Sequence, residues 1–388
     1  MDTGIIDKPE ALAAAPGDEA RLECFIPTPC VQNHAAFLMD LPGGDLGCVW
    51  FGGTQEGVPD ISVRFSRLAA GATRWTPAQT LSDDPTRSEQ NPLLFPTPDG
   101  ALWLLWTAQI SGNQDTAMIR RRISRDGGES WGPIETLFGE QPGFGTFIRQ
   151  PIIVNARGEW LLPIWRCTKP PIGAWTGDLD TSSVMLSADQ GKTWREVAVP
   201  DSTGTCHMSI IDRGGDRMVA FYRSRWADFI HRSVSVDGGH SWSAPVPTTL
   251  PNNNASIQAI GLRDGRIAIL FNESSAADAT GRRLSLYDDI GGEDTPAPPS
   301  EGRSAFWGAP RAPMTLAISA DEGLTWPERR NLETGDGFCM TNNSKEKLNR
   351  EFSYPTLRQS ADGTLHIAYT YWRQAIKYVR VTPEWVRG

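Results

Sequence analysis

Short apolar runs bounded by turn residues recur along the whole chain. One unit is a Gly/Asp turn followed by an apolar strand: DLGCVWF (45–51), DGALWLLW (99–106), RGEWLLPIW (157–165), DRMVAFY (216–222), RDGRIAILF (263–271) and DGTLHIAY (362–369). Each follows another short apolar run, such as 92–95 or 151–154. Apolar runs of this length, rich in β-branched and aromatic residues and punctuated by Gly and Asp, predict strands joined by hairpins. No long stretch has the 3.6-residue period of a helix.

A second unit lies between these. It reads Ser-x-Asp-x-Gly-x-Thr/Ser-Trp and occurs at 124–131, 187–194, 235–242 and 319–326, with a degenerate fifth candidate at 66–75. The chemistry is that of a tight turn. Ser and Asp oxygens accept from the turn's backbone, Gly supplies a positive φ, and Trp packs between sheets. Two hairpins per unit and six units predict an all-β chain: a six-bladed β-propeller with four antiparallel strands per blade, as one domain over 1–388. Inner strands are expected to start near 34, 91, 150, 207, 256 and 354. The last unit has no box, so an N-terminal strand near 22–26 is expected to complete it. Two segments break the rhythm, 288–310 and 330–349, and either is a candidate cover for a site.

Composition narrows the partners. The formal net charge is −9, which argues against nucleic acid but not against a small anion held in a locally basic cleft. The six cysteines have no metal-type spacing and read as buried thiols. No cofactor or metal is expected. The first twenty residues lack a basic start and a continuous apolar core, and no run approaches the length of a membrane span. The expectation is a cytoplasmic protein with no membrane partner.

In a propeller the entry ends of the inner strands crowd onto one face around the central channel. Here those positions carry Gln32, His34, Asn91, Arg149, His207, Asn254, Arg350, Glu351 and Tyr354. Loops after the second strands return to the same face with Glu56, Asp60, Arg223, Arg225 and Arg373. Gathering Arg, His, Glu and Tyr at equivalent points of six blades points to a ligand. His231, His240 and His366 read as structural or solvated.

With these residues in place, the chain resembles the sialidase superfamily, and within it a bacterial branch of BNR-repeat, Asp-box proteins. The resemblance spans nearly the whole chain and rests on WFGGTQEGVPD (50–60), NPLLFPTPDG (91–100), LPNNNASIQAI (250–260) and EFSYPTLRQSADGTLHIAYTY (351–371). It implies that the boxes sit on the propeller rim as structural elements. It also implies three arginines on a sugar carboxylate, a Tyr nucleophile activated by Glu, and an acid/base carboxylate. Tyr354 falls at the nucleophile, Arg311 at the third arginine, Arg225 or Arg223 at the second, and Glu56 or Asp60 at the acid/base. Two positions depart from the pattern. His34 stands where the first arginine belongs, and His207 where the activating Glu belongs; Glu351 is a candidate substitute base.

Three readings follow. The first is an exo-acting glycoside hydrolase on an acidic terminal sugar, with Arg311, Arg225 and Arg149 on the carboxylate, Tyr354 attacking the anomeric carbon and Glu56 or Asp60 as acid. The second is a lyase on a uronate-containing glycan, with His34 or His207 as base and Tyr354 as acid. The third is a carbohydrate-binding propeller without catalysis, whose mouth aromatics (Trp50, Trp106, Trp165, Tyr222 and Tyr371) stack on sugars. In each the partner is a small acidic saccharide or oligosaccharide.

Overall fold

The computed structural model describes residues 8–290 and 303–387. Its strands form six antiparallel sheets in chain order, the six blades of a propeller. Blade one runs outward as Gln32–Asp40, Leu46–Gly53, Ser62–Leu68 and Gln79–Thr80. Blades two, four and five repeat that four-strand order, with inner strands Arg87–Pro96, Thr205–Asp212 and Gln258–Gly261. In blade three the inner strand is split into Phe144–Ile148 and Ile153–Val154, both paired with Trp160–Thr168. Blade six takes Phe352–Gln359, Leu365–Tyr371 and Ala375–Val381 from the end of the chain and Asp18–Ile26 from its beginning, with Ala13–Ala15 as a fifth strand. Leu22 pairs with Arg380 and Ile26 with Ile376. Among the described residues the helical segments are three short 3-10 turns.

The core lies between neighbouring blades. Met208, Ile210, Tyr222 and Trp242 of blade four pack on Leu161, Val184 and Leu186 of blade three. Phe221 and Ile230 of blade four pack on Ile267, Phe271 and Trp326 of blade five. All four boxes form the turn that their sequence encodes. In the second, Ser187 Oγ accepts from Gly191 N at 2.8 Å, and Asp189 accepts from Thr193 N at 2.8 Å and Thr193 Oγ1 at 2.7 Å. The box glycine is also where one blade touches the next. A Cβ on Gly239 would stand 2.2 Å from Leu161 of the preceding blade, and Gly239 has φ +91°. The fifth candidate is not a box: Ser66 Oγ instead donates to Thr76 O at 2.6 Å, and Trp75 is buried against Tyr378.

A second device repeats at the inner strands. In blades one, two, four and six the pairing with the second strand slips by one residue after His34, Gln90, Cys206 and Ser353. The residue at each bulge is left-handed: Ala35 (φ 58°), Asn91 (50°), His207 (54°) and Tyr354 (51°). A non-glycine residue in this conformation costs roughly 1–2 kcal/mol, and bulges of this kind re-aim side chains. The bulge sits where the inner strand enters the sheet, so it turns His207 and Tyr354 toward the channel. Opposite each bulge stands a fully buried aromatic, Trp50, Trp106, Tyr222 or Tyr369. Trp50, Trp106 and Tyr222 therefore fill the blades and do not offer faces to a sugar; Trp165 is likewise buried, under His207.

Of the two segments that break the rhythm, residues 291–302 of the first lie outside the described residues. Its flanks pack across the mouth. Trp307 Nε1 donates to Thr176 O at 2.9 Å, and the Tyr287 hydroxyl accepts from Gln109 and Gln114 of blade two. The second segment begins later than expected, because residues 330–333 belong to the outer strand of blade five, Glu328–Glu333.

Candidate functional site

Tyr354 stands at the centre of the mouth, on the bulge of blade six. Its hydroxyl oxygen accepts from Arg223 Nη1 at 2.7 Å. Its ring lies 4.2 Å from the ring of His34 and 5.6 Å from that of His207. The guanidinium carbons of Arg149, Arg223 and Arg311 stand 5.5, 5.7 and 5.7 Å from the ring centre. Blades one, three, four and five thus each place a side chain around the phenol that blade six supplies.

The two imidazoles are fully buried and held. His34 Nδ1 is 2.9 Å from Thr370 Oγ1. His207 Nδ1 is 2.8 Å from Ser256 Oγ, and its ring stacks on Trp165. Burial, and after it the neighbouring arginines, holds both imidazoles well below the usual histidine value of 6.5. Both are neutral at pH 7.

The arginines divide by how they are paired. Arg225, one candidate for the second carboxylate arginine, is consumed: Asp180 takes its Nε and Nη2 at 2.9 and 2.7 Å, between the rings of Trp175 and Trp307. Arg311 donates to Glu351 Oε2 at 2.7 Å. Arg373 bonds the other oxygen of Glu351 and also Glu56 Oε2, the latter at 2.5 Å. Burial would raise the Glu351 carboxyl, but Arg311 and Arg373 outweigh it and hold Glu351 below the usual range. Arg223 has a neutral partner, Asn254 Oδ1, on its Nε at 2.9 Å.

Arg149 is no free carboxylate ligand. It spans the channel and donates to the carbonyls of Ala36, Tyr354 and Pro355 at 2.8, 3.0 and 3.2 Å, with longer bonds to Ala35 O and Ser256 Oγ. It thereby ties the bulges of blades one and six together. With no carboxylate beside it, burial pushes its pKa down to about 10. Five buried arginines (149, 223, 225, 311 and 373) thus share three carboxylates, Asp180, Glu351 and Glu56. The mouth carries excess positive charge in a chain whose net charge is −9.

Two expected site residues are turned elsewhere. Asp60 is exposed and accepts from Thr54 N and Oγ1 at 3.2 and 2.6 Å, capping its own loop. Arg350 is half-buried and forks onto Asp336. Glu351, the next residue, is fully buried. Sequence reasoning missed Asp180, Ser256 and Thr370, which hold Arg225, His207 and His34; none lies in a repeated pattern. Several buried polar atoms at the mouth have no hydrogen-bond partner among the described residues: Arg223 Nη2, His34 Nε2 and both side-chain amide atoms of Gln32. A buried polar atom left unpaired costs about 1–3 kcal/mol, and a polar ligand in the mouth would recover that cost for these four; other unpaired atoms lie away from it, the indole N–H of Trp131, Trp242 and Trp326 among them. Among the described residues no group of three or more His, Cys, Asp or Glu is placed to hold a metal ion.

Residues 44–367 match a protein family described as "BNR repeat-like domain". No curated protein sequence matches the chain. Solved structures with the same fold include the Hadza microbial sialidase Hz136, at 15% identity and TM-score 0.67, where the match covers 92% of this chain and 66% of that one. This chain therefore spans just under two thirds of that protein. The intramolecular trans-sialidase from Ruminococcus gnavus, in complex with oseltamivir carboxylate, has 13% identity and TM-score 0.65 over 92% of this chain and 95% of that one. The Trypanosoma rangeli sialidase with 2,3-difluorosialic acid, a covalent intermediate, has 12% identity and TM-score 0.61 over 95% and 59%. At these identities the likeness is one of fold.

Proposed function

The chain belongs to the BNR repeat-like domain family, and from that premise we propose that it is a carbohydrate-active enzyme, an exo-acting glycoside hydrolase on an acidic terminal sugar. The observation that carries this reading is the Tyr354 hydroxyl bonded to Arg223 and ringed by Arg311, Arg149 and two neutral imidazoles. Solved relatives of the fold include sialidases, one of them holding a difluorosialic acid as a covalent intermediate, which supports an acidic sugar as ligand.

In this reading Arg223, through its unpaired Nη2, and Arg311 receive the sugar carboxylate, with Arg373 behind them completing the positive wall. A guanidinium meets a carboxylate with two parallel bonds. Tyr354 attacks the anomeric carbon, the known exception to the two-carboxylate rule. Arg223, already donating to the phenol oxygen, stabilises negative charge on it. A neutral imidazole of His34 or His207 takes the phenol proton. Glu56, buried and paired with Arg373, is assigned in this reading to serve the leaving oxygen, and Asp60, which caps its own loop, is given no part. This set of titratable groups favours catalysis over sugar binding alone, because a lectin needs no base.

The test is reducing-sugar release from a panel of sialosides and uronate-terminated oligosaccharides by the wild type and by Tyr354→Phe. The expected result is release by the wild type and a loss of about 10²–10⁴-fold in the variant. Equal release by both would contradict the assignment.

A further inference from the structure

Three features of the mouth bear on a second reaction. First, among the described residues no carboxylate bonds the Tyr354 hydroxyl: Glu351 is taken by Arg311 and Arg373, and Glu56 by Arg373. Second, His34 Nδ1 is fixed by Thr370 while Nε2 is buried with no partner. Third, the His34 and Tyr354 rings lie 4.2 Å apart, close enough to act on one bound sugar.

We propose that the same site also cleaves 4-O-glycosylated hexuronates by β-elimination, with His34 Nε2 as the base and the Tyr354 hydroxyl as the acid. The proposal rests on the reading that this mouth takes up a carboxylate-bearing sugar. In a hexuronate the C5 proton lies next to the carboxylate, and neutralising that carboxylate makes the proton removable. Arg223 and Arg311 supply the neutralising charge. His34 Nε2 removes the C5 proton, and the C5–H electron pair forms the C4=C5 double bond. The C4–O4 bond breaks with its pair on O4, which takes the proton of Tyr354. The imidazolium then returns its proton to the phenol oxygen. The net change is one proton moved from C5 to O4, with neither water nor an oxidant consumed.

His34 suits the base better than His207, whose Nε2 faces Arg223 Nη1 at 3.3 Å and whose Nδ1 faces Ser256. In the tautomer that donates its Nδ1 proton to Thr370, which the proposal requires, Nε2 of His34 carries the lone pair. Burial, and after it the charge of the neighbouring arginines, keeps this imidazole neutral; a bound carboxylate offsets the arginine part, so its basicity rises as substrate enters.

The test follows ultraviolet absorbance of the unsaturated uronate together with reducing-sugar release, on a 4-O-glycosylated glucuronate and, separately, on sialosides. Both signals should rise in step on the uronate, more slowly when C5 carries deuterium. His34→Gln should slow the absorbance rise by about 10²–10⁴-fold, with thermal melting reporting whether the variant is folded. Reducing sugar from the uronate without absorbance would overturn elimination and leave the hydrolase reading standing. An undiminished absorbance rise in His34→Gln would overturn the role given to His34. Failure to cleave either substrate class would overturn both.

Discussion

The rim and the mouth of this propeller are both made of repeated strained turns, and they differ in what they leave unpaired. On the rim, the Ser and Asp of each box close its turn: Ser235 Oγ accepts from Gly239 N, and Asp237 accepts from Ser241 N and Oγ; what stays buried and unpaired there is the indole N–H of Trp131, Trp242 and Trp326. At the mouth, left-handed bulges aim His207 and Tyr354 inward, while Arg223 Nη2, His34 Nε2 and Gln32 remain buried and unpaired. Repetition alone therefore does not separate structure from function; the kind of atom left unpaired does, indole N–H on the rim and guanidinium, imidazole and amide atoms at the mouth. The mouth gives up stability to present polar atoms, as functional sites do.

The sharpest way to break this contrast is Arg223→Met. The cation has no carboxylate partner and one unpaired nitrogen, so removing it should lower activity by about 10²–10⁴-fold while the melting temperature holds or rises. A large drop in melting temperature would mean that the mouth is built for stability after all.

Second in size is an effect of pH away from the reacting centre. His366, buried and bonded to the Tyr378 hydroxyl, is held down to about 4 from an ordinary 6.5 by burial, and after it by Arg380. Because the folded value is depressed, stability is fully present above about 6.5 and is lost as pH falls toward 4, where folded His366 itself protonates. At full effect this amounts to about 3 kcal/mol. His34 and His207 act in the same direction. Thermal melts across this window should show the decline, with a shallower slope in His366→Gln.

The rim substitution Gly239→Ala comes next. Its Cβ meets Leu161 at 2.2 Å in a left-handed backbone, so it should cost about 1–3 kcal/mol from overpacking and leave activity per folded molecule unchanged. Smallest is Arg350→Ala. Its ion pair with Asp336 is exposed, so stability should move by no more than about 0.5 kcal/mol and activity not at all. A loss of activity there would return Arg350 to the site.

Six blades of four strands were legible because strand, turn and box are local signals repeated at regular spacing. Blade equivalence also brought Tyr354, His34 and His207 to one mouth, since entry ends of inner strands converge whatever their distance in sequence; Arg311, just before the third strand of blade five, was legible only through the family resemblance. What stayed hidden depended on partners from unpatterned segments. Arg225 reads as a ligand until Asp180 is seen beside it, and Asp60 until Thr54 is. Arg149 reads as a carboxylate clamp, yet it holds carbonyls exposed by the bulges of blades one and six, and no pattern of side chains announces a bulge. Trp50 and Trp106 suit a sugar platform by type, but the strand face they occupy lies inside the blade.

The most direct test of the central claim is covalent trapping. The protein would be incubated with a fluorinated acidic glycosyl donor that forms the enzyme-bound sugar quickly and releases it slowly, then digested with trypsin and mapped by mass spectrometry. The account predicts one added sugar on the peptide bounded by Arg350 and Arg358, which contains Tyr354, and no label on that peptide in Tyr354→Phe. A sugar attached to any other peptide, or an unlabelled protein that still turns the donor over, would contradict it.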